Sequence, residues 1–179
     1  SYDKTRTDRI NYATKSGVKI EYLDITDLFS VQNFIKKINP SYWIHHAGWA
    51  NAYGSLKYDL KMGMEINVLP LETIYWSLNK VGCKGVIITG SSAEYSDSDK
   101  ACKEDDLCLP TLPYGLSKLS ETVRAKELSS YYSLATRVAR VFIPYGPLDS
   151  PNKLLSSVLL ALTKKSKIGK KYSRKLRGG

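Results

Sequence analysis

Cysteine is scarce in this sequence. The three present among 179 residues, Cys83, Cys102 and Cys108, form neither an even set nor a metal-binding spacing. That argues against a disulfide framework and suits a reducing compartment. Histidine is scarcer still, with only His45 and His46. Neighbours on a strand point to opposite faces, so the two cannot share a metal; structural roles at a strand end are expected, and no metal site. No apolar run approaches the ~18 residues of a membrane span, and no signal peptide opens the sequence, so no membrane partner and a cytoplasmic location are expected. Acids are missing from one end only. Eight of the 27 basic residues fall between Lys164 and Arg177, where there is no acid; the remaining 19 face all 17 acids and leave the body at +2 of a total of +10. A surface-wide basic footprint of the kind that grips a phosphate backbone is thereby excluded, and a nucleic acid would have only the tail to hold.

What remains is an ordinary globular composition, 42% hydrophobic and 25% charged with a mean hydropathy of −0.29. The length suffices for one domain with a proper core. A folded domain over 1–162 is expected, followed by a basic, flexible tail over 163–179.

Residues 18–23 read as a strand, after which Thr26 or Asp27 caps a helix over 28–38, whose apolar residues Leu28, Val31, Phe34, Ile35 and Ile38 have amphipathic spacing. Asn39-Pro40 stops it. A short strand over 42–46 ends in Ala47-Gly48, and a long helical region over 56–80 is expected to bend near Gly63 and Pro70. The uninterrupted apolar run 85–89 suits a buried parallel strand. A polar loop over 96–113, a helix over 114–131, a strand over 133–142 and a last helix over 151–163 complete the order. Alternation of this kind implies a parallel, doubly wound α/β sheet covered on both faces, with ligands at the carboxyl ends of its strands.

One pair of residues carries specific chemistry. Tyr114 and Lys118 are four apart in a helical segment, so phenol and ammonium share a face. A free tyrosine titrates near pH ~10, and a lysine beside it would stabilise the phenolate and make it a usable acid/base.

Six motifs in order extend this: Asp24-Ile25 after a strand, His45-His46-Ala47-Gly48, Asn67 in Glu-Ile-Asn-Val, Thr89-Gly-Ser-Ser-Ala-Glu-Tyr95, Tyr114-Gly-Leu-Ser-Lys118 and Arg140-Val-Phe-Ile-Pro-Tyr-Gly-Pro147. Together they resemble the extended short-chain dehydrogenase/reductase family, in its sugar-nucleotide epimerase/dehydratase branch. The resemblance implies a Rossmann-like fold, NAD or NADP as cofactor, a nucleotide-sugar substrate and a homodimer built on the helices around 57–80 and 114–131, with Tyr75 and Trp76 as candidate surface. It implies that Asp24 and Ile25 contact the adenine, that Ala47 and Gly48 let the backbone approach the dinucleotide, and that Asn67 holds a helix distortion beside the cofactor. Ser92, with Ser91 as competitor, would bond the sugar oxygen and the Tyr114 phenol. Tyr114 would move the proton, Lys118 would bind the nicotinamide ribose and depress the Tyr114 pKa, and Val141 would pass under the nicotinamide end. Glu94, two residues after Ser92, has the spacing of a dehydratase base, although Tyr95 then comes one residue too early for the usual motif and Ser96 replaces its glycine.

The family's Gly-x-x-Gly-x-x-Gly turn, which seats a pyrophosphate at a helix N-terminus, is not in the sequence. The resemblance therefore implies that this glycine-loop unit lies upstream of residue 1 and that a smaller substrate lobe lies beyond residue 179. The rival expectation is a non-catalytic descendant, serving as a binding module or scaffold.

Overall fold

The computed structural model describes residues 2–146, 148–150 and 153–163. The basic tail from Lys164, and Pro147, lie outside them. The chain divides into two compact units, one comprising Leu23–Ile143 and the other Ser1–Tyr22 with Pro144–Gly179.

In the larger unit, α2 (Leu28–Ile38) begins at Asp27, whose carboxylate accepts from the Ser30 N–H at 3.1 Å and satisfies one of the helix's unpaired donors. It ends at Asn39, which adopts the left-handed conformation at φ 46° before Pro40. Strand β1 (Tyr42–His45) follows, then α3 (Leu60–Asn67) and α4 (Pro70–Lys80). The long helix expected over 56–80 is thus broken. Asp59 caps α3 by accepting from Met62 N–H at 3.0 Å, which fixes the start at 60, and Pro70, which has no N–H to donate, opens α4 after a turn at Val68–Leu69. Strand β2 (Gly85–Ser91), a 3-10 turn (Ser92–Glu94), α5 (Pro113–Tyr131) and β3 (Thr136–Val141) complete the unit.

The three strands form a parallel sheet in the order β1-β2-β3, with Ile44 opposite Ile87 and Ile87 opposite Arg137. This is the α/β class expected, reached by crossovers through α3–α4 and through α5. Side chains alternate across it. Val86 and Ile88 point into a core with Val31, Ile35, Leu71, Ile74, Leu78, Ala125 and Leu128. Tyr75 belongs to that core as well, its hydroxyl pairing with Thr136 Oγ1 at 3.0 Å, so it is not a surface residue; Trp76 beside it is exposed. The opposite sheet face does not match the expectation of cover on both sides: Tyr42 is 69% exposed, Ile44 67% and Ile87 42%. The strand expected over 18–23 also does not form. That stretch has no ladder partner among the described residues, and Tyr22 is 91% exposed.

The smaller unit contains α1 (Tyr2–Lys15) and α6 (Leu154–Thr163). Within it, Arg9 Nε donates to the Leu148 carbonyl at 2.9 Å and Lys153 pairs with Asp149 at 3.0 Å. No helix among the described residues is long and apolar enough to cross a membrane.

Candidate active site

The carboxyl ends of β1 and β2 and the first turns of α5 enclose a cleft of ≈ 230 Å³, lined by His46, Gly48, Trp49, Ala50, Thr89, Gly90, Tyr114 and Lys118. The first turn of α5 is brought there by Gly115. A Cβ at that position would collide with the Ala93 carbonyl and lie 2.8 Å from the Pro110 Cβ, so only glycine lets the helix approach the 3-10 turn this closely. Tyr114 and Lys118 then face the cleft from one side of the helix, as their spacing requires.

The hydroxyl hydrogen-bonded to the Tyr114 phenol is that of Ser91. β2 runs through Ser91, whose Oγ accepts from the Ala93 N–H at 3.2 Å; Ser92 has already turned into the 3-10 helix. Counting the motif from Ser91 also supplies the residue that seemed to be missing before Tyr95. The Tyr114 phenol itself is held above its ordinary pKa. Burial is the main cause; the Ser91 hydrogen bond works against it, and the negative charges of Glu121 and Glu94 add to it. The shift is thus opposite to the depression expected from Lys118, whose ammonium pairs with Glu121, one turn further along α5. Glu121 is buried, and desolvation raises its pKa to about 7 against the pull of Lys118. Behind it, buried His45 on β1 is pushed down to about 4, chiefly by desolvation and then by the Lys118 charge.

Glu94 is fully buried, and its carboxylate is committed. It accepts from the Ser91 N–H at 2.8 Å, Thr122 Oγ1 at 2.9 Å and Arg140 Nε at 2.9 Å. Arg140 also donates to Tyr95 Oη at 2.9 Å and to the Glu104 carbonyl at 3.1 Å, and lies over the Tyr95 ring. This network fixes the backbone of Ser91 and pins the 96–113 loop. A carboxylate with three donors, two of them uncharged and one a guanidinium, is poorly placed to take a proton from a substrate.

Asn67 ends α3, fully buried. Its Oδ1 accepts from the Trp49 N–H at 2.6 Å and its Nδ2 donates to Ser117 Oγ at 3.1 Å, tying the loop after β1 to α5. Two residues without any signal in the motifs join it. Tyr58 pairs its hydroxyl with Ser117 at 3.0 Å and sets its ring edge-on to Tyr114, with centroids 5.6 Å apart; Tyr53 does the same at 5.8 Å. The dense tyrosines of the 49–59 loop were the available clue.

The described lining of the cleft does not include Asp24, Ile25, Ala47 or Val141. Asp24 accepts from the N–H and hydroxyl of Thr26 at 2.9 and 2.8 Å, an exposed turn at the entrance to α2. Val141 lies opposite Ser91 at the end of β3. His46 lines the cleft while His45 is buried, which is the opposite-face arrangement expected of adjacent strand residues.

A model of the NAD-dependent epimerase/dehydratase family matches residues 2–178. The chain belongs to that family. Its fold is similar to solved structures of several enzymes. UDP-glucuronic acid 4-epimerase from Bacillus cereus in complex with NAD superposes with a TM-score of 0.65 at 19% identity, over 82% of this chain and 45% of that one. UDP-glucose 4-epimerase from Thermus thermophilus in complex with NAD gives 0.66 at 19%, over 80% and 47%. The dTDP-4-dehydrorhamnose reductase from Bacillus anthracis in complex with NADP gives 0.66 at 21%, over 81% and 49%. The chain thus spans about half the length of these proteins.

Proposed function

We propose that this family member is the catalytic half-site of a cytoplasmic NAD(P)-dependent enzyme that acts on a nucleotide-activated sugar, with Ser91, Tyr114 and Lys118 as its proton relay. The observation that carries this reading is that the Tyr114 phenol and the Lys118 ammonium share one cleft, with the Ser91 hydroxyl bonded to that phenol and with Gly48, Ala50 and Gly90 leaving room along part of the wall, beside His46, Trp49 and Thr89. Such walls fit the ribose and nicotinamide of a dinucleotide, with Lys118 donating to ribose hydroxyls and Val141 and Ala47 at the margins. The dinucleotide, when bound, supplies hydride transfer at a sugar carbon. The chain's part is to hold the sugar oxygen between Ser91 and Tyr114 and to give or take its proton at Tyr114 Oη. Glu94 then acts as a strut for Ser91 rather than as a base. Asp24 and Ile25 serve the adenine end, and exposed Trp76, Val123 and Leu116 on α4 and α5 offer a homodimer contact.

The test is turnover of UDP-glucose and UDP-glucuronic acid in the presence of NAD, for wild type and Tyr114→Phe. Loss of a positioned acid/base costs about 10²–10⁴-fold. The reading expects that loss with NADH binding retained; equal turnover by the two proteins rules the relay out. The alternative reading is a non-catalytic binding module. It predicts no turnover and no saturable dinucleotide binding.

A further inference from the structure

We propose that Glu121, backed by His45, is a positioning residue that competes with the Tyr114 phenol for the Lys118 ammonium. The inference rests on Tyr114 and Lys118 forming the relay, and adds a third party to it. Glu121 Oε2 takes the Lys118 ammonium, while Oε1 is buried with no hydrogen-bond partner among the described residues. His45 Nε2, 3.8 Å away, is buried and unpartnered in the same sense. A carboxylate with one oxygen on a cation and the other facing a neutral imidazole has two stable states. Ionised, it ties the ammonium to its own side of the cleft wall. Protonated, it can direct its O–H at His45 Nε2, with the imidazole carrying its own proton on Nδ1, and the ammonium is released toward Tyr114.

Every charged neighbour bears on which state prevails. Lys118 and Tyr114 face Glu121 from α5, His45 from β1, Glu94 from the 3-10 turn and Tyr75 from α4; His46 acts on His45. Lys118 favours the ionised carboxylate, and burial and Glu94 favour the protonated one, leaving the balance at about pH 7. The ionised state also opposes phenolate formation at Tyr114, since the Glu121 charge raises that group. Neutralising Glu121 therefore acts twice in the same direction, by removing a negative charge near the phenol and by freeing a positive one.

The experiment needs no cofactor or substrate. Tyrosine labelled with carbon-13 is titrated by NMR in wild type and Glu121→Gln, with the Tyr114 resonance assigned from Tyr114→Phe. The expected result is a Tyr114 midpoint lower by roughly one pH unit or more in Glu121→Gln. An unchanged or higher midpoint in folded Glu121→Gln overturns the proposal, and so does a fall of the same size when Glu121→Gln is added to Lys118→Met, because loss of the Glu121 charge alone lowers the phenol with or without the ammonium. Should Glu121→Gln fail to fold, Lys118→Met decides by the reverse route. Without its cation Glu121 must protonate at a higher pH, read from the glutamate side-chain carbon; an unchanged midpoint there also overturns the competition. Failure here leaves dinucleotide binding by the cleft intact, and failure of that binding leaves the titration coupling intact.

Discussion

Two buried glutamates flank the cleft, and they are satisfied to different degrees. Glu94, behind Ser91, has three donors, one of them a guanidinium. Glu121, behind Lys118, has one cation on one oxygen, while the other lies 3.8 Å from an imidazole and has no hydrogen-bond partner among the described residues. Both are within 1% of complete burial, so burial does not separate them. The number of partners does. A saturated carboxylate behaves as a fixed strut, whereas a half-satisfied one can change protonation state near neutrality and move a neighbour when it does.

The largest effect expected from this contrast is on stability. Glu94→Ala leaves the Arg140 guanidinium partly buried without its carboxylate and frees the Ser91 N–H, and breaking a buried pair in this way costs ~3–5 kcal/mol. Denaturant unfolding checks it; a loss below ~1 kcal/mol would mean that the network is ornamental.

The next effect concerns pH. The folded pKa of Glu121 is raised from 4.5 to about 7, so this group costs stability progressively as pH rises through that interval. The folded pKa of His45 is lowered from 6.5 to about 4, so this group costs stability as pH falls through its own interval. Between pH 4.5 and 6.5 the two slopes oppose each other, and their joint contribution is nearly flat. Each single variant exposes the other's slope. Glu121→Gln should gain stability from pH 4.5 to 6.5, and His45→Gln should lose it from 4.5 to 7, each by about 2–3 kcal/mol. Parallel pH profiles for wild type and both variants would break the comparison. The smallest effect is that of Thr122→Val, which removes one of the donors to Glu94 and should cost ~1–2 kcal/mol with no change in pH profile.

The sequence made some of this architecture readable and hid the rest. Leu28–Ile38 was legible to the residue because amphipathic spacing, a capping residue at Thr26 or Asp27 and Asn-Pro all agreed; the structure uses Asp27. The parallel sheet followed from alternation alone. The run Gly85–Thr89 predicted burial on both faces, yet Ile87 is exposed: an apolar strand records which neighbours it suits, not whether they are present. Residues 18–23 failed for a related reason, since strand propensity without a ladder partner gives no strand. At the site, Tyr114 and Lys118 were legible from spacing. Between Ser92 and its competitor Ser91 the sequence did not decide, because the end of β2 is set by the pairing of Ser91 with Val141, a long-range fact. Glu121 is three residues after Lys118 and was within reach of the same helical reasoning. Its significance depended on His45, 76 positions earlier in sequence and 3.8 Å away in space.

The central claim, a dinucleotide seated over Tyr114 and Lys118, is most directly tested by NADH binding, followed through energy transfer from tryptophan to the dihydronicotinamide. Trp49 lines the cleft and is the natural donor. The account predicts a saturable signal in the wild-type chain, weakened about tenfold or more in Lys118→Met because a charge-assisted hydrogen bond to the ribose contributes ~1.5–3 kcal/mol. No saturable signal from the wild type, or the same affinity in both proteins, would contradict it.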